Sequence, residues 1–136
     1  MSAPGAAHPL PRSFLAFDFG TRRVGVATGN TVTRTATPLR TVADTGGARF
    51  DTIARLVAEW QPDALVVGIP YHPDGAPHDN TERARRFARQ LHGRFRLAVH
   101  EVDERYTTVE AQAGGAADVD AASAALILEQ YLRSLS

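Results

Sequence analysis

No cysteine and no lysine occur among the 136 residues. The first absence excludes disulfides and thiolate metal sites, and it fits a reducing cytoplasm better than a secreted, disulfide-stapled design. The second leaves all fifteen basic side chains as arginine, a bias that a GC-rich genome produces by itself, so it carries little functional weight. Net charge is absent too, because fifteen acidic residues balance the fifteen arginines. That balance argues against an indiscriminate nucleic-acid glue and leaves room for a local basic patch. No apolar run approaches the length of a membrane span. The opening MSAPGAAHPLPRS has three prolines and no apolar block, so residues 1–13 read as a flexible tail rather than a signal peptide. Repeats, heptads, a Gly-Lys-Ser/Thr phosphate loop and zinc-like histidine spacing (His72, His78 and His100 included) are all missing.

What remains is one domain's worth of material, residues 14–136, with 43% apolar residues to close a single core. Phe14–Asp18 reads as a short buried strand, and Arg23–Gly29 as its neighbour across a tight turn at Gly20. Thr31–Leu39 alternates β-branched residues and is expected to form a third strand that ends near Pro38. The period then becomes helical over Ala48–Trp60, with Phe50, Ile53, Leu56, Val57 and Trp60 on one side. Ala64–Pro70 is continuously apolar, as a central parallel strand would be. A helix near Asn80–His92 turns Ala84, Phe87, Ala88 and Leu91 inward, and a strand over Phe95–Glu104 follows. Helices near Thr107–Ala113 and Asp120–Ser134 finish the chain, the latter with Ala121, Ala124, Ala125, Leu128 and Leu132 inside. The fold class is α/β: a five-stranded mixed sheet, three antiparallel strands and then two βα units, with helices on its faces.

Ligand sites in open α/β sheets gather at the carboxyl ends of strands. Asp18 closes the first strand and Gly68-Ile69-Pro70 the fourth. Asp103-Glu104-Arg105 closes the fifth. If these strands are parallel neighbours, Asp18 and Glu104 meet at one rim, and Asp120, beginning the last helix, can be aimed there as well. Three clustered carboxylates repel unless a cation neutralises them. Oxygen ligands select Mg²⁺ or Mn²⁺, the ions of phosphodiester hydrolysis. Each acid also has a plainer role: Asp18 as a turn former, Glu104 as a surface ion-pair partner, Asp120 as a helix cap.

Gly20 and Thr21 can bring backbone N–H groups to a phosphate, and Arg22 can grip one in a fixed fork. Arg23 is expected to point outward from its strand. Arg83, Arg85, Arg86 and Arg89 line the outer face of the fourth-to-fifth-strand helix, as a solvated surface or as a track for phosphates. Tyr106 is suited either to stacking on a base or to packing.

The segments AFDFGTRRVGVATGN, VVGIPYHPDGAPHDNTERARRFARQL, VDERYTTVEAQ and VDAASAALILEQYL, spanning Phe14 to about Leu132, resemble in order and spacing the YqgF/RuvX family. Its members are pre-16S rRNA nucleases with a Holliday-junction-resolvase-like RNase H fold. The resemblance implies an RNase H-like sheet with the first strand central beside the fourth. It implies Asp18, Glu104 and Asp120 as metal-binding catalytic acids; beside it, the residues themselves offer Gly20, Thr21, Arg22, Arg83, Arg86 and Arg105 as candidates to contact nucleic acid. The expected partners are structured RNA and the pre-ribosomal particle, in the cytoplasm, for a monomer or weak homodimer away from any membrane. The alternatives are resolution of branched DNA, rRNA binding without cleavage and, on Asp-Phe-Gly-Thr alone, an actin-like ATPase loop. One departure stands out: AGGAAD precedes the last helix where the family carries a longer basic loop, and Asp118 replaces its terminal lysine or arginine.

Overall fold

The computed structural model describes residues 10–104 and 118–135. β1 (Ser13–Phe19), β2 (Val24–Asn30) and β3 (Ala36–Val42) are followed by α1 (Gly46–Trp60), β4 (Ala64–Ile69), α2 (Thr81–Phe95), β5 (Ala98–Asp103) and α3 (Val119–Ser134). The strands form one sheet in the order β3-β2-β1-β4-β5. β1 pairs antiparallel with β2 and β2 with β3, whereas β1–β4 and β4–β5 are parallel. The mixed sheet read from the sequence is therefore present, with β1 central.

Strand alternation sends successive side chains to opposite faces. Leu15, Phe17, Val24, Val26, Leu65, Val67 and Ile69 pack under α1 and α2 around Phe50, Ile53 and Phe87. Phe87 touches the rings of Phe17, Phe19 and Phe50, with centroids 5.9, 5.1 and 5.9 Å away. Phe14, Ala16, Ala64 and Val66 face the other way, under Ile127, Leu128, Tyr131 and Leu132 of α3. A continuous apolar β4 follows from this burial on both faces: all six of its residues are buried.

Four sequence expectations need correction. Thr31–Leu39 is not one strand. Asn30 Oδ1 accepts from the backbone N–H groups of Val32 and Thr33, each at 2.9 Å, and Arg34 adopts φ 57°, so the threonine run belongs to the hairpin turn. β3 starts at Ala36 and continues through Pro38, tolerated because β3 is a sheet edge and its register shifts beside that residue. Trp60 is 41% exposed rather than part of the inner face. β5 begins at Ala98, since α2 runs to Phe95 and Arg96 caps it at φ 59°. The helix expected over Thr107–Ala113 lies outside the described residues, as do Arg105, Tyr106 and most of the expected tail.

Candidate hydrolytic site

Asp18 sits one residue before the end of β1, and alternation puts it on the α3 face with Phe14 and Ala16. Its register neighbours are both glycines: Gly25 on β2 and Gly68 on β4. A methyl group at Gly68 would lie 2.6 Å from Glu104 Oε2 and 2.4 Å from Ile127 Cδ1. At Gly25 it would lie 1.8 Å from the backbone oxygen of Asp120. These two bare positions let the end of β5 and the start of α3 close over Asp18 from either side.

Glu104 follows β5, its backbone N–H donating to Ile69 O at 3.2 Å. Its side chain is hydrogen bonded to that of Asp18. Burial, followed by the charge of Asp120, raises Asp18 from 3.8 to about 6, against the lowering effect of the Glu104 hydrogen bond. Burial also raises Glu104, from 4.5 to about 8, reinforced by the Asp18 charge, by their hydrogen bond and by Asp103. Between those values the pair as a whole holds about one proton, shared between its two carboxyls.

Asp120 is near enough to act on Asp18 through its charge. Its own carboxylate is drawn to Arg23, whose Nε is 3.2 Å from Oδ2. Arg23 thus folds back over the rim instead of pointing outward as expected. Nor is Asp120 the helix cap. Asp118 has that role, accepting from Ala121 N–H at 3.0 Å and from the Thr41 hydroxyl. The residue that departs from the family pattern therefore ties α3 to β3 and leaves Asp120 turned to the rim. Among the described residues no three Asp, Glu, His or Cys side chains form a ready-made metal cage; Asp18 and Glu104 are joined, and Asp120 stands beside them on its arginine.

The other sequence candidates divide. Gly20, Thr21 and Arg22 occupy the β1–β2 turn, directly after the carboxylate strand, with Thr21 and Arg22 exposed. Arg83 and Arg86 are exposed on α2, which covers the opposite face of the sheet, so they do not join the carboxylates. Arg105 lies outside the described residues. Sequence reading missed Gly25, set Arg23 aside as outward-pointing, saw Asp118 only as a departure from the family pattern, and noted Gly68 only as marking a strand end. The signal for the glycines is pairing register, which becomes legible once β1 is aligned between β2 and β4.

Residues 12–134 match the model of the RuvX family, described as Holliday junction resolvase. A protein of Polaromonas sp. strain JS666 named "Putative pre-16S rRNA nuclease" is 68% identical, over 91% of this chain and 90% of its own length. One from Paraburkholderia phytofirmans with the same name is 54% identical, again over 91% and 90%. Among solved structures, Thermus thermophilus RuvC in complex with a Holliday junction substrate superposes with a TM-score of 0.58 at 15% identity, covering 90% of this chain and 94% of that one. A second structure of Thermus thermophilus RuvC gives 0.53 at 13% identity, over 90% and 95%. At such identities the likeness is one of fold, and it agrees with the RNase H-like architecture expected from the motifs.

Proposed function

Since the chain belongs to the RuvX family, we propose that it is a metal-dependent endonuclease that cleaves phosphodiester bonds in structured RNA, in maturation of the 5′ end of pre-16S rRNA. The observation that carries this reading is the Asp18–Glu104 carboxyl pair at the sheet rim, pushed above ordinary values by burial and by Asp120. Two partly buried acids compelled to share a proton are a poor structural investment by themselves, and a site for a divalent cation in place of that proton gives them a purpose. Asp18, Glu104 and Asp120 are the residues that would hold Mg²⁺ or Mn²⁺, an all-oxygen donor set suited to these hard ions. When bound, such an ion supplies Lewis-acid stabilisation of the charge that develops on phosphate oxygens.

The chain's own groups divide the remaining work. Glu104, at the rim end of β5 beside Asp18, is placed to manage the proton of the attacking water. Arg23 orients the Asp120 carboxylate. The N–H groups of Gly20 and Thr21 and the guanidinium of Arg22 receive the phosphate next to the cut. The exposed Thr21 and Arg22 leave this approach open to a bulky polymer. The pre-ribosomal particle in the cytoplasm is the setting that goes with this substrate, and the protein acts as a monomer or weak homodimer. No described helix is long and apolar enough to cross a membrane.

The decisive experiment compares the parent with Asp18→Asn on a pre-16S leader transcript with Mg²⁺ or Mn²⁺. The variant is expected to lose about a hundredfold or more in cleavage rate; an unchanged rate removes the assignment. The family's description as junction resolvases supports a second substrate, branched DNA. A four-way junction supplied in parallel separates the two, because paired symmetric cuts require a dimer. A chain that binds the leader tightly and cuts neither substrate is an assembly factor instead.

A further inference from the structure

On the face of the sheet opposite the carboxylates, a cleft of about 490 Å³ runs between the start of α1 and the length of α2. Arg49, Arg83, Arg86 and Arg94 line it with Phe19 and Phe50, and no acidic residue does. The arginines of α2 fall into two sets. Arg85 pairs with Glu101 at 3.6 Å and Arg89 with Glu82 at 3.4 Å. Arg83, Arg86 and Arg94, the three that border the cleft, have no carboxylate partner among the described residues. A merely solvated basic helix face has no reason to make this division, since Glu82 and Glu101 neutralise only the cations outside the cleft.

Arg49 is the more telling case. It is only 6% exposed, yet its guanidinium donates to two neutral carbonyls, Asp44 O at 3.2 Å and Thr21 O at 3.0 Å. A buried charge without a counter-charge is costly. Here it is set in the first turn of α1, which has no acidic residue and no side-chain cap of its own, where the helix dipole adds further positive potential. Arg94 lies over the Phe50 ring at 4.1 Å, which holds its planar group at the cleft wall. Arg83 donates only to the neutral Asn80 side chain, at 3.1 Å, so among the described residues four guanidiniums without a carboxylate partner border one cleft, a surface that an external anion completes.

We infer that this cleft is a second nucleic-acid anchor, gripping backbone phosphates of the substrate other than the one being cut. The inference rests on the nuclease reading for the identity of the polymer. Arg49 links the two regions physically: its bond to Thr21 O ties the cleft to the β1–β2 turn, over which a strand passes from one face of the sheet to the other. The ligand is the phosphodiester backbone, common to RNA and DNA, and a run of phosphates fits the elongated row from Arg83 to Arg94.

The test measures binding of a fluorescent RNA stem-loop and of a four-way DNA junction by anisotropy, in chelator so that nothing is cut, over a series of salt concentrations. Arg83 and Arg86 are exposed, so R83A/R86A should fold, as a thermal melt would verify. This double variant is expected to weaken binding about tenfold or more and to lower the log–log salt slope by about two. R85A/R89A, which removes the same charge outside the cleft, should stay near the parent. Parallel loss on both probes supports a backbone anchor, and loss confined to RNA supports one fitted to A-form geometry. Parent-like binding and slope in R83A/R86A, an equal loss in R85A/R89A, or a parent that binds neither probe at low salt each overturns the inference. The two readings fail separately: a parent that cuts neither substrate with Mg²⁺ or Mn²⁺ while R83A/R86A binds poorly removes the nuclease and keeps the anchor, whereas cleavage that is lost in D18N while R83A/R86A binds like the parent removes only the anchor.

Discussion

Gly25 and Gly68 stand on either side of Asp18, and they differ in what a methyl group would strike. At Gly68 the obstacles are side-chain ends, Ile127 Cδ1 and Glu104 Oε2, which can retreat at a cost of about 1–3 kcal/mol. Gly68→Ala is therefore expected to fold with a lowered melting temperature and to lose cleavage disproportionately, because Glu104 is displaced from Asp18. At Gly25 the obstacles are backbone atoms of α3, Asp120 O at 1.8 Å and Ala121 N at 2.9 Å, and only a shift of the whole helix start relieves them. Gly25→Ala should therefore melt below Gly68→Ala. Thermal melts and leader cleavage on both variants check the ordering; equal melting temperatures would show that α3 does not depend on this contact.

At the scale of elements, the start of α3 shows how local chemistry sets the site. Asp118 caps the helix and also receives the Thr41 hydroxyl, so Asp118→Ala should cost about 0.5–2 kcal/mol and lower the melting temperature. Asp118→Asn, which keeps an acceptor, should recover most of it. If the alanine variant melts with the parent, the capping role is wrong. The same element marks the limit of sequence reading. Helical periodicity identified the inner residues of α2 and α3 correctly, because a 3.6-residue stripe against a sheet leaves a clear pattern. The carboxyl-end rule led to Asp18 and Glu104, since a parallel β1–β4–β5 arrangement needs only chain order. The role of Asp120 was less legible: whether Asp118 or Asp120 caps depends on Thr41, 77 residues from Asp118 in sequence. β3 was misplaced because Thr31–Thr35 alternates like a strand, while Asn30 captures the backbone into a turn, a tertiary-free contact that composition hides. The α2 arginines were visible as a group, but their division into paired and unpaired sets follows from where Glu101 lies on the neighbouring strand.

For the whole molecule, the partly buried acids make stability depend on pH in an unusual direction. Asp18 and Glu104 take up protons more readily folded, near about 6 and about 8, than at their ordinary values of 3.8 and 4.5. The native state thus holds protons that the unfolded chain has released, and the slope of unfolding free energy against pH is negative in that window. Their contribution favours folding least above pH 8, is progressively restored as pH falls through 8 and 6, and levels off below about 4, where both states are protonated. In chelator, the parent should lose melting temperature relative to a D18N/E104Q variant as pH rises from about 4 to about 8, because amides at these positions cannot ionise. A divalent ion that binds only the native site stabilises according to its concentration over Kd, and it competes with the same protons. Added Mn²⁺ should therefore raise the parent's melting temperature more at pH 8 than at pH 6 and leave D18N/E104Q unmoved. Melting curves over a pH series, with chelator and with Mn²⁺, check both parts. Parallel pH curves for parent and variant would mean that the two carboxyls do not share a proton in the fold. A Mn²⁺ effect of equal size in both proteins would place the ion elsewhere.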